Sequence, residues 1–368
     1  MPKVRVLIVD DSVVVRKILS DSLSADPDIE VVTAANGKIA LAKLVQVNPD
    51  LVTLDFEMPE MDGLTTLKEI RKSHPKLPVI MFSTLTERGA TETLDALAAG
   101  ANDYVTKPAN VGSVGIAIAR IKEELIPKIK MHCGRVTPLT ADTPQETAKP
   151  GATCPVRFER VTNVPAGRVD VVAIGVSTGG PNALSALLPL LAKDFPVPVV
   201  IVQHMPPVFT KLLADRLSAH CSISVVEGEP GMVLRPGQAI IAAGGSHMTV
   251  QVTAGVARIA TNMDPPENSC RPAVDVLFRS VAVGFGRASL GVILTGMGSD
   301  GLRGCGHIRE AGGQVIVQDE ASSVVWGMPG FVAKAGLANK TLPLREIAGE
   351  LGRRVREGRS AVRTALAG

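Results

Sequence analysis

The sequence predicts an α/β protein of two domains: a flavodoxin-like (βα)5 domain, then a doubly wound α/β domain with a parallel sheet and a small antiparallel insertion. Three observations carry that prediction. The chain has 368 residues, too many for one ordinary domain. Short β-branched runs alternate with helical periodicity on both sides of a polar stretch interrupted by prolines. Chemistry-bearing polar residues follow the apolar runs directly, at the strand ends where open α/β sheets bind ligands.

Composition narrows the function. Hydrophobic residues make up 45%, enough for sizeable cores, but aromatic residues only 3%, which argues against base-stacking platforms. A net charge of +3 is too small to argue for a nucleic-acid or other polyanion partner. Cys133, Cys154, Cys221, Cys270 and Cys305 are odd in number and contain no C-x-x-C pair, so reduced cytosolic thiols are expected, without a disulfide framework or zinc site. The apolar run near the N-terminus is too short for a signal peptide, and no stretch is long enough to span a bilayer. A soluble, cytoplasmic protein is expected.

The first domain is expected over residues 1–131. Runs at 4–9, 30–33, 51–54, 79–82 and 103–105 read as strands, separated by helical patterns, with a longer helix over about 111–130. Asp10 and Asp11 follow the first strand, Asp55 the third, Thr84 the fourth and Lys107-Pro108 the fifth. An isolated Asp-Asp pair is ordinarily a solvated turn. Polar positions in register across the strands converge instead on one crevice. Three gathered carboxylates repel unless a cation joins them, and Mg²⁺ suits an all-oxygen site. Lys107 offsets the remaining charge and can hold a phosphoryl group.

Asp10-Asp11, the run Leu54-Asp55-Phe56-Glu57-Met58-Pro59-Glu60-Met61-Asp62-Gly63, Thr84 and Lys107-Pro108 together resemble a response-regulator receiver domain. The resemblance implies that Asp55 is phosphorylated by a histidine kinase. It implies further that Asp10, Asp11, Asp55 and the Glu57 carbonyl hold Mg²⁺, and that Thr84 and Tyr104, with Lys107, form the switch.

Residues 132–168 lose all apolar periodicity and carry Pro138, Pro144, Pro150, Pro155 and Pro165, the signature of a semi-stiff linker. The second domain is expected over 169–368. It opens on an apolar run that ends in Gly175-Val176-Ser177-Thr178-Gly179-Gly180-Pro181, a G-x-S-x-G turn followed by a helix-starting proline. A helix is expected over 182–192, and a buried strand over 197–202 ends at Gln203-His204. A helix over 209–220 follows, then small antiparallel strands within 231–260 around Gly244-Gly245, and a helix over 272–284. A second buried strand, 290–294, leads into Thr295-Gly296-Met297-Gly298-Ser299-Asp300-Gly301, and 314–318 is a further strand. The C-terminal helix carries Arg353, Arg354, Arg356, Arg359 and Arg363, read as a solvated basic face.

Ser177, His204 and Asp300 thus arrive at one sheet edge, and these are the residue types that acyl transfer needs. A serine hydroxyl requires an imidazole to take its proton, and a carboxylate fixes the imidazole tautomer. His247 is the rival base, and Asp264 and Asp275 are rival carboxylates, Asp275 being placed on the helix. Backbone N–H groups of the Gly296-Met297-Gly298 and Thr178-Gly179 turns are candidate oxyanion donors.

Six motifs in order are similar to the CheB family of chemotaxis protein-glutamate methylesterases. They are Ile174 to Pro181, Gln203-His204-Met205-Pro206, Gly244 to Met248, Arg271 to Phe278, Gly296 to Gly301 and Val324 to Pro329. The resemblance implies hydrolysis of glutamate γ-methyl esters on methyl-accepting chemotaxis receptors, with deamidation of specific receptor glutamines. Ser177, His204 and Asp300 fall on the family's catalytic positions, with the Met297 N–H as an oxyanion donor. It places the chain near membrane receptor arrays only through its partners. Ala243 departs from the family's usual proline, a change confined to a turn. Two other readings remain: a transcription factor, which would need a small basic helical output domain, and a non-catalytic module on the same fold. The tethered receiver is expected to block the esterase until Asp55 is phosphorylated.

Overall fold

A computed structural model of the chain describes residues 2–107, 118, 121–134 and 167–357. Two compact units divide the chain, residues 1–157 and 158–368. Most of the expected 132–168 linker, including Cys154, lies outside the described residues, as do Pro108, Arg359 and Arg363.

In the first unit β1 (Val4–Val9), β2 (Ile29–Ala34), β3 (Leu51–Asp55), β4 (Val79–Ser83) and β5 (Asp103–Thr106) form a sheet in the order β2-β1-β3-β4-β5. Every pairing is parallel. Helices Val13–Ser24, Gly37–Val47, Gly63–Ser73 and Glu87–Ala98 connect the strands. Each begins at a side chain that accepts a backbone N–H of its first turn: Ser12 from Val15, Asn36 from Ile39, Asp62 from Thr65 and Thr86 from Gly89. Such caps contribute about 1 kcal/mol each, and they fix where each helix leaves the strand ends. Val6, Ile8, Leu51 and Ile80 pack with Leu19, Leu125 and Ile129 in the core. Of the helix expected over 111–130, the described part is residue 118, which is helical, and a π-helical turn, Ile121–Leu125, continuing into Ile126–His132.

The second unit holds β6 (Val171–Val176), β7 (Val199–Gln203), β8 (Ser224–Glu227), β9 (Gln238–Ile241), β10 (His247–Thr253), β11 (Val256–Asn262), β12 (Ser289–Ile293), β13 (Gln314–Gln318) and β14 (Lys340–Leu342). Seven of them form a sheet in the order β14-β13-β12-β6-β7-β9-β8, parallel throughout. β6, β7, β12 and β13 are buried along their whole lengths, which is why they read as continuous apolar runs. The strand order reverses beside β6, so the crevice of this fold opens between the ends of β6 and β12.

Three expectations need correction. The antiparallel pair is β10 with β11, joined through Ala254-Gly255, not strands turning at Gly244-Gly245; β9 belongs to the main sheet. The helix expected over 182–192 is Gly180–Leu187, followed by a 3₁₀ turn, Leu188–Leu190. Pro189 explains the early end, since it lacks the N–H that another α-helical turn would use. On the last helix, Leu344–Arg356, Arg354 is buried rather than solvated. It pairs with Glu350 at 2.7 Å and also donates to Gln314 Oε1 on β13.

Candidate active site

The register of the central strands brings the first two candidate residues side by side. β6 pairs β7 with Val176 opposite Gln203, so Ser177 and His204 leave adjacent strand ends at the same level. His204 N–H donates to Val176 O at 3.2 Å, and Gln203 Nε2 donates to both Ser177 O and His204 O at 3.1 Å. On the other flank Ser177 N–H donates to Thr295 O at 3.1 Å, and the Thr295 hydroxyl donates to Thr178 O at 2.9 Å. A side chain at Gly296 would fall 2.9 Å from Ser177 Cβ and 2.4 Å from Met328 Sδ. Only glycine lets the loop after β12 approach the serine turn so closely.

Asp300, in that loop, completes the arrangement. His204 Nε2 lies 2.8 Å from Asp300 Oδ2, which also accepts from Val274 N–H at 2.7 Å. Oδ1 accepts from Asp275 N–H and Gly301 N–H, both at 3.0 Å, and from Asn268 Nδ2 at 2.8 Å. Burial disfavours the Asp300 charge, but His204 and these N–H groups outweigh it and hold the carboxyl below its ordinary range. An ionised carboxylate only accepts, so His204 carries a proton on Nε2, and in the neutral imidazole the lone pair is on Nδ1. Burial works against a charged His204 as well, yet Asp300 and Cys270, whose Sγ lies 3.6 Å from Nδ1 and can accept from a protonated ring, shift its pKa upward.

Asn268 and Cys270 carry no site signal in the sequence. Both belong to a tight turn in which Glu267 and Cys270 exchange backbone hydrogen bonds, while Asn268 and Ser269 adopt left-handed φ of 53° and 61°. Arg279 grips Glu267 through two bonds of 3.1 and 3.0 Å. One anchored turn thereby delivers an amide to the carboxylate and a thiol to the imidazole. An Asn in a polar segment gives no sequence signal for this, although its tolerance of left-handed backbone fits the position.

The rival residues have other surroundings. His247 is buried, with Nδ1 accepting from Ala273 N–H and Nε2 facing Pro265 O, both at 3.2 Å. Asp264 is exposed. Asp275 is buried on the helix Val274–Phe285, where it accepts from Gly304 N–H and Asn268, and burial together with the Asp300 charge raises its pKa. Met297 is half-buried in the loop beside Ser177, and its N–H has no hydrogen-bond partner among the described residues. Thr178 is buried, with its carbonyl fixed by Thr295.

The first unit gathers a second polar site at its own strand ends. Lys107 Nζ lies 2.7 Å from Asp55 Oδ2 and 3.3 Å from Asp10 Oδ2. The Asp10 contact lacks hydrogen-bond geometry, so Oδ2 is a buried oxygen without a bonded partner. Burial raises the Asp55 pKa to about 6 despite Lys107, and raises Asp10 as well. Carboxylate oxygens of Asp10, Asp11 and Asp55 fall within 4.8 Å of one another. This all-oxygen cluster, with one oxygen unsatisfied, fits a small hard divalent cation. Glu57 and Thr84 are exposed at the rim, and Thr84 Oγ1 lies 3.1 Å from Thr86 Oγ1. Tyr104 is half-buried, its ring 5.5 Å from Lys128 Nζ. A side chain at Gly63 would meet Asp55 O at 2.0 Å, so glycine there admits the helix Gly63–Ser73 to the site.

Comparison with known proteins finds a family match for each of the two units. A response regulator receiver domain family model matches residues 6–118, and a CheB methylesterase family model matches residues 172–351. The chain is 57% identical over 358 residues to a protein of Trichodesmium erythraeum named protein-glutamate methylesterase/protein-glutamine glutaminase, covering 96% of this chain and 100% of that one. A Nocardioides protein of the same name is 54% identical, with 98% of each chain covered.

The chain belongs to the CheB methylesterase family.

A crystal structure of the Thermotoga maritima CheB methylesterase catalytic domain agrees with the second unit, at 40% identity and a TM-score of 0.50, covering 51% of this chain and 99% of that one. The CheB assignment accounts for the coexistence of the two sites, because it joins a receiver to a hydrolase in one chain. It also removes the transcription-factor reading, since the output half is the seven-stranded α/β unit that ends in Ser177, His204 and Asp300.

Proposed function

We propose that the chain is a serine hydrolase that removes γ-methyl groups from glutamates of methyl-accepting chemotaxis receptors and deamidates specific receptor glutamines, under control of phosphorylation at Asp55. The observation that carries this reading is the 2.8 Å bond from His204 to Asp300, formed where Ser177 leaves the neighbouring strand.

The chemistry follows from the tautomer. His204 Nδ1 takes the Ser177 Oγ proton while Oγ attacks the ester carbonyl, and Asp300 stabilises the resulting imidazolium. The tetrahedral oxyanion is held by the N–H groups of Met297 and Thr178; one such donor is worth ~3 kcal/mol of barrier. Collapse breaks the C–O bond, and the Nδ1 proton leaves with methoxide as methanol. Water, deprotonated by the same nitrogen, then cleaves the acyl-serine and releases the glutamate carboxylate. With a glutamine the leaving group is ammonia, through the same two steps.

In the receiver, Asp10, Asp11 and Asp55, with the Glu57 carbonyl, would hold Mg²⁺, which neutralises charge on a phosphoryl group at Asp55. Lys107 holds that group in place, and Thr84 and Tyr104 respond to it. The phosphodonor is a histidine kinase of the chemotaxis system. Among the described residues no helix is long and apolar enough to cross a membrane. Its substrates, in this reading, bring a cytoplasmic protein to receptor arrays. Incubation with a methylated receptor, followed by peptide mass spectrometry and methanol assay, tests the reading. A fluorophosphonate label should attach to Ser177, and absence of both label and demethylation would leave only a binding module.

A further inference from the structure

We propose that His204 and Cys270 form a binding site for a soft divalent cation of the zinc class, and that a cation seated there switches the hydrolase off. The switching half rests on the reading of Ser177 and His204 as nucleophile and base. The binding half does not.

With Nε2–H committed to Asp300, the lone pair of the neutral His204 ring is on Nδ1, where Cys270 Sγ is its hydrogen-bond partner at 3.6 Å. A tetrahedral zinc ion takes nitrogen at about 2.0–2.1 Å and thiolate sulfur at about 2.3 Å, which places the two donors roughly 3.5 Å apart. The side chains therefore already stand at the separation a shared cation imposes. The donors of His204, Cys270 and Asp300 all fall within 4.8 Å of one another. Asp300 is the outer partner in this set, since its oxygens already accept from Val274, Asp275, Gly301, Asn268 and His204. A carboxylate holding the far N–H of a metal-bound imidazole is the usual support of such ligands, fixing the tautomer and raising basicity.

The thiol is equally well placed. Cys270 is half-buried, so a cation can reach it, and its turn is anchored by the paired backbone bonds to Glu267 and by Arg279. Binding deprotonates Cys270, the proton passing to solvent. Nitrogen plus thiolate selects zinc-class ions and rejects Mg²⁺, which prefers the oxygen cluster of Asp10, Asp11 and Asp55. The two sites in one chain are thus sorted by ligand softness. A cation on Nδ1 occupies the lone pair that would accept the Ser177 proton, so hydrolysis stops without loss of fold.

The test uses the full chain at fixed Mg²⁺. Zn²⁺ should inhibit ester hydrolysis reversibly, with recovery on chelation followed by Mg²⁺ replenishment. Loss of an outer partner alone costs roughly 10–100-fold in metal affinity. Cys270→Ser should therefore raise the Zn²⁺ concentration for half-inhibition by more than about tenfold, each variant being referred to its own metal-free rate. Co²⁺ supplies a readout independent of activity: thiolate-to-cobalt charge-transfer absorption in the wild type, absent in Cys270→Ser. Zn²⁺ should also slow alkylation of Cys270 in the wild type, followed by peptide mass spectrometry, which needs no variant at all. Equal inhibition of wild type and Cys270→Ser overturns the switch. A missing cobalt band together with unprotected Cys270 overturns the site. A metal-free wild type that hydrolyses no ester would sink the hydrolase reading instead, while band and alkylation still decide the site.

Discussion

Asn268 Nδ2 stands between two buried carboxylates, 2.8 Å from Asp300 Oδ1 and 2.9 Å from Asp275 Oδ2. Without that amide the two acids would face each other, and the charge on Asp300 that holds His204 would be opposed. A hydrogen bond to a charged group contributes roughly 1.5–3 kcal/mol. Asn268→Gly, which keeps the left-handed backbone available, should therefore lower kcat by roughly 10–100-fold with little change in KM. Asn268→Ala should lose as much activity and additional thermal stability, because alanine resists a φ of 53°. Steady-state kinetics beside melting curves separate the two effects. Wild-type kcat in Asn268→Gly would show that Asp300 needs no such support.

Ser177→Ala and His204→Gln should each lose several orders of magnitude in ester hydrolysis while keeping the fold, since nucleophile and base act as one unit. His247→Gln is the contrasting case. Its ring is buried and bonded to Ala273 N–H, so the change should lower the melting temperature while substantial activity remains. Methanol release and thermal melts on the three variants check this, and the reverse pattern would move the base to His247.

As the proposed base, His204 requires an unprotonated Nδ1, and Asp300 and Cys270 raise its pKa above the ordinary 6.5. A raised pKa keeps the cation present to higher pH, so activity should climb with pH through a limb lying above 6.5. Cys270→Ser removes one of the raising groups and should move that limb to lower pH. A limb at or below 6.5 in the wild type would contradict the stabilised imidazolium.

The parallel sheets were legible in the sequence because β6, β7, β12 and β13 are buried on both faces, and Ser177, His204 and Asp300 follow three of these runs. β8 and β14 were not, being short, edge-placed and half polar. Residues 238–241 read as part of a turn-rich insertion, because nothing local in Gln-Ala-Ile-Ile reveals a parallel partner about forty residues away at Val199–Ile201. Likewise Thr295, Gln203, Asn268 and Cys270 support the site through tertiary contacts alone. Their spacing from the residues they hold has no period to detect. Arg354 reads as solvated among neighbouring arginines, because its partners Glu350 and Gln314 are met only in the folded chain.

Asp55 offers a stability test of the receiver site. Its folded pKa is about 6, above the ordinary 3.8, so its ionisation opposes folding. The opposition is absent below about 3.8, grows between the two values and is complete above about 6. Asp55→Asn should therefore stabilise the receiver transition at neutral pH without Mg²⁺, on the order of 2 kcal/mol, with the advantage fading as pH falls toward 4. Calorimetry at several pH values checks it; a pH-independent difference would assign the effect to packing.

Phosphorylation of Asp55 could raise the hydrolase rate by relieving inhibition or by adding activation, and one comparison separates them. The phosphoryl group brings roughly 1.5–2 negative charges to a site where Asp10 already has an unsatisfied oxygen. The receiver surface bearing Thr84 and Tyr104 must then re-equilibrate, and a shift of ~1.4 kcal/mol changes a two-state ratio about tenfold. The fragment 168–368 contains the whole seven-stranded sheet and all three of Ser177, His204 and Asp300, so it carries its own core. If the receiver acts by inhibition, that fragment should hydrolyse esters faster than the unphosphorylated full chain with no phosphodonor present. Asp55→Asn in the full chain should stay at the basal rate when phosphodonor is added. A fragment no faster than the unphosphorylated chain would eliminate inhibition, and the phosphorylated receiver would then have to act as a positive effector.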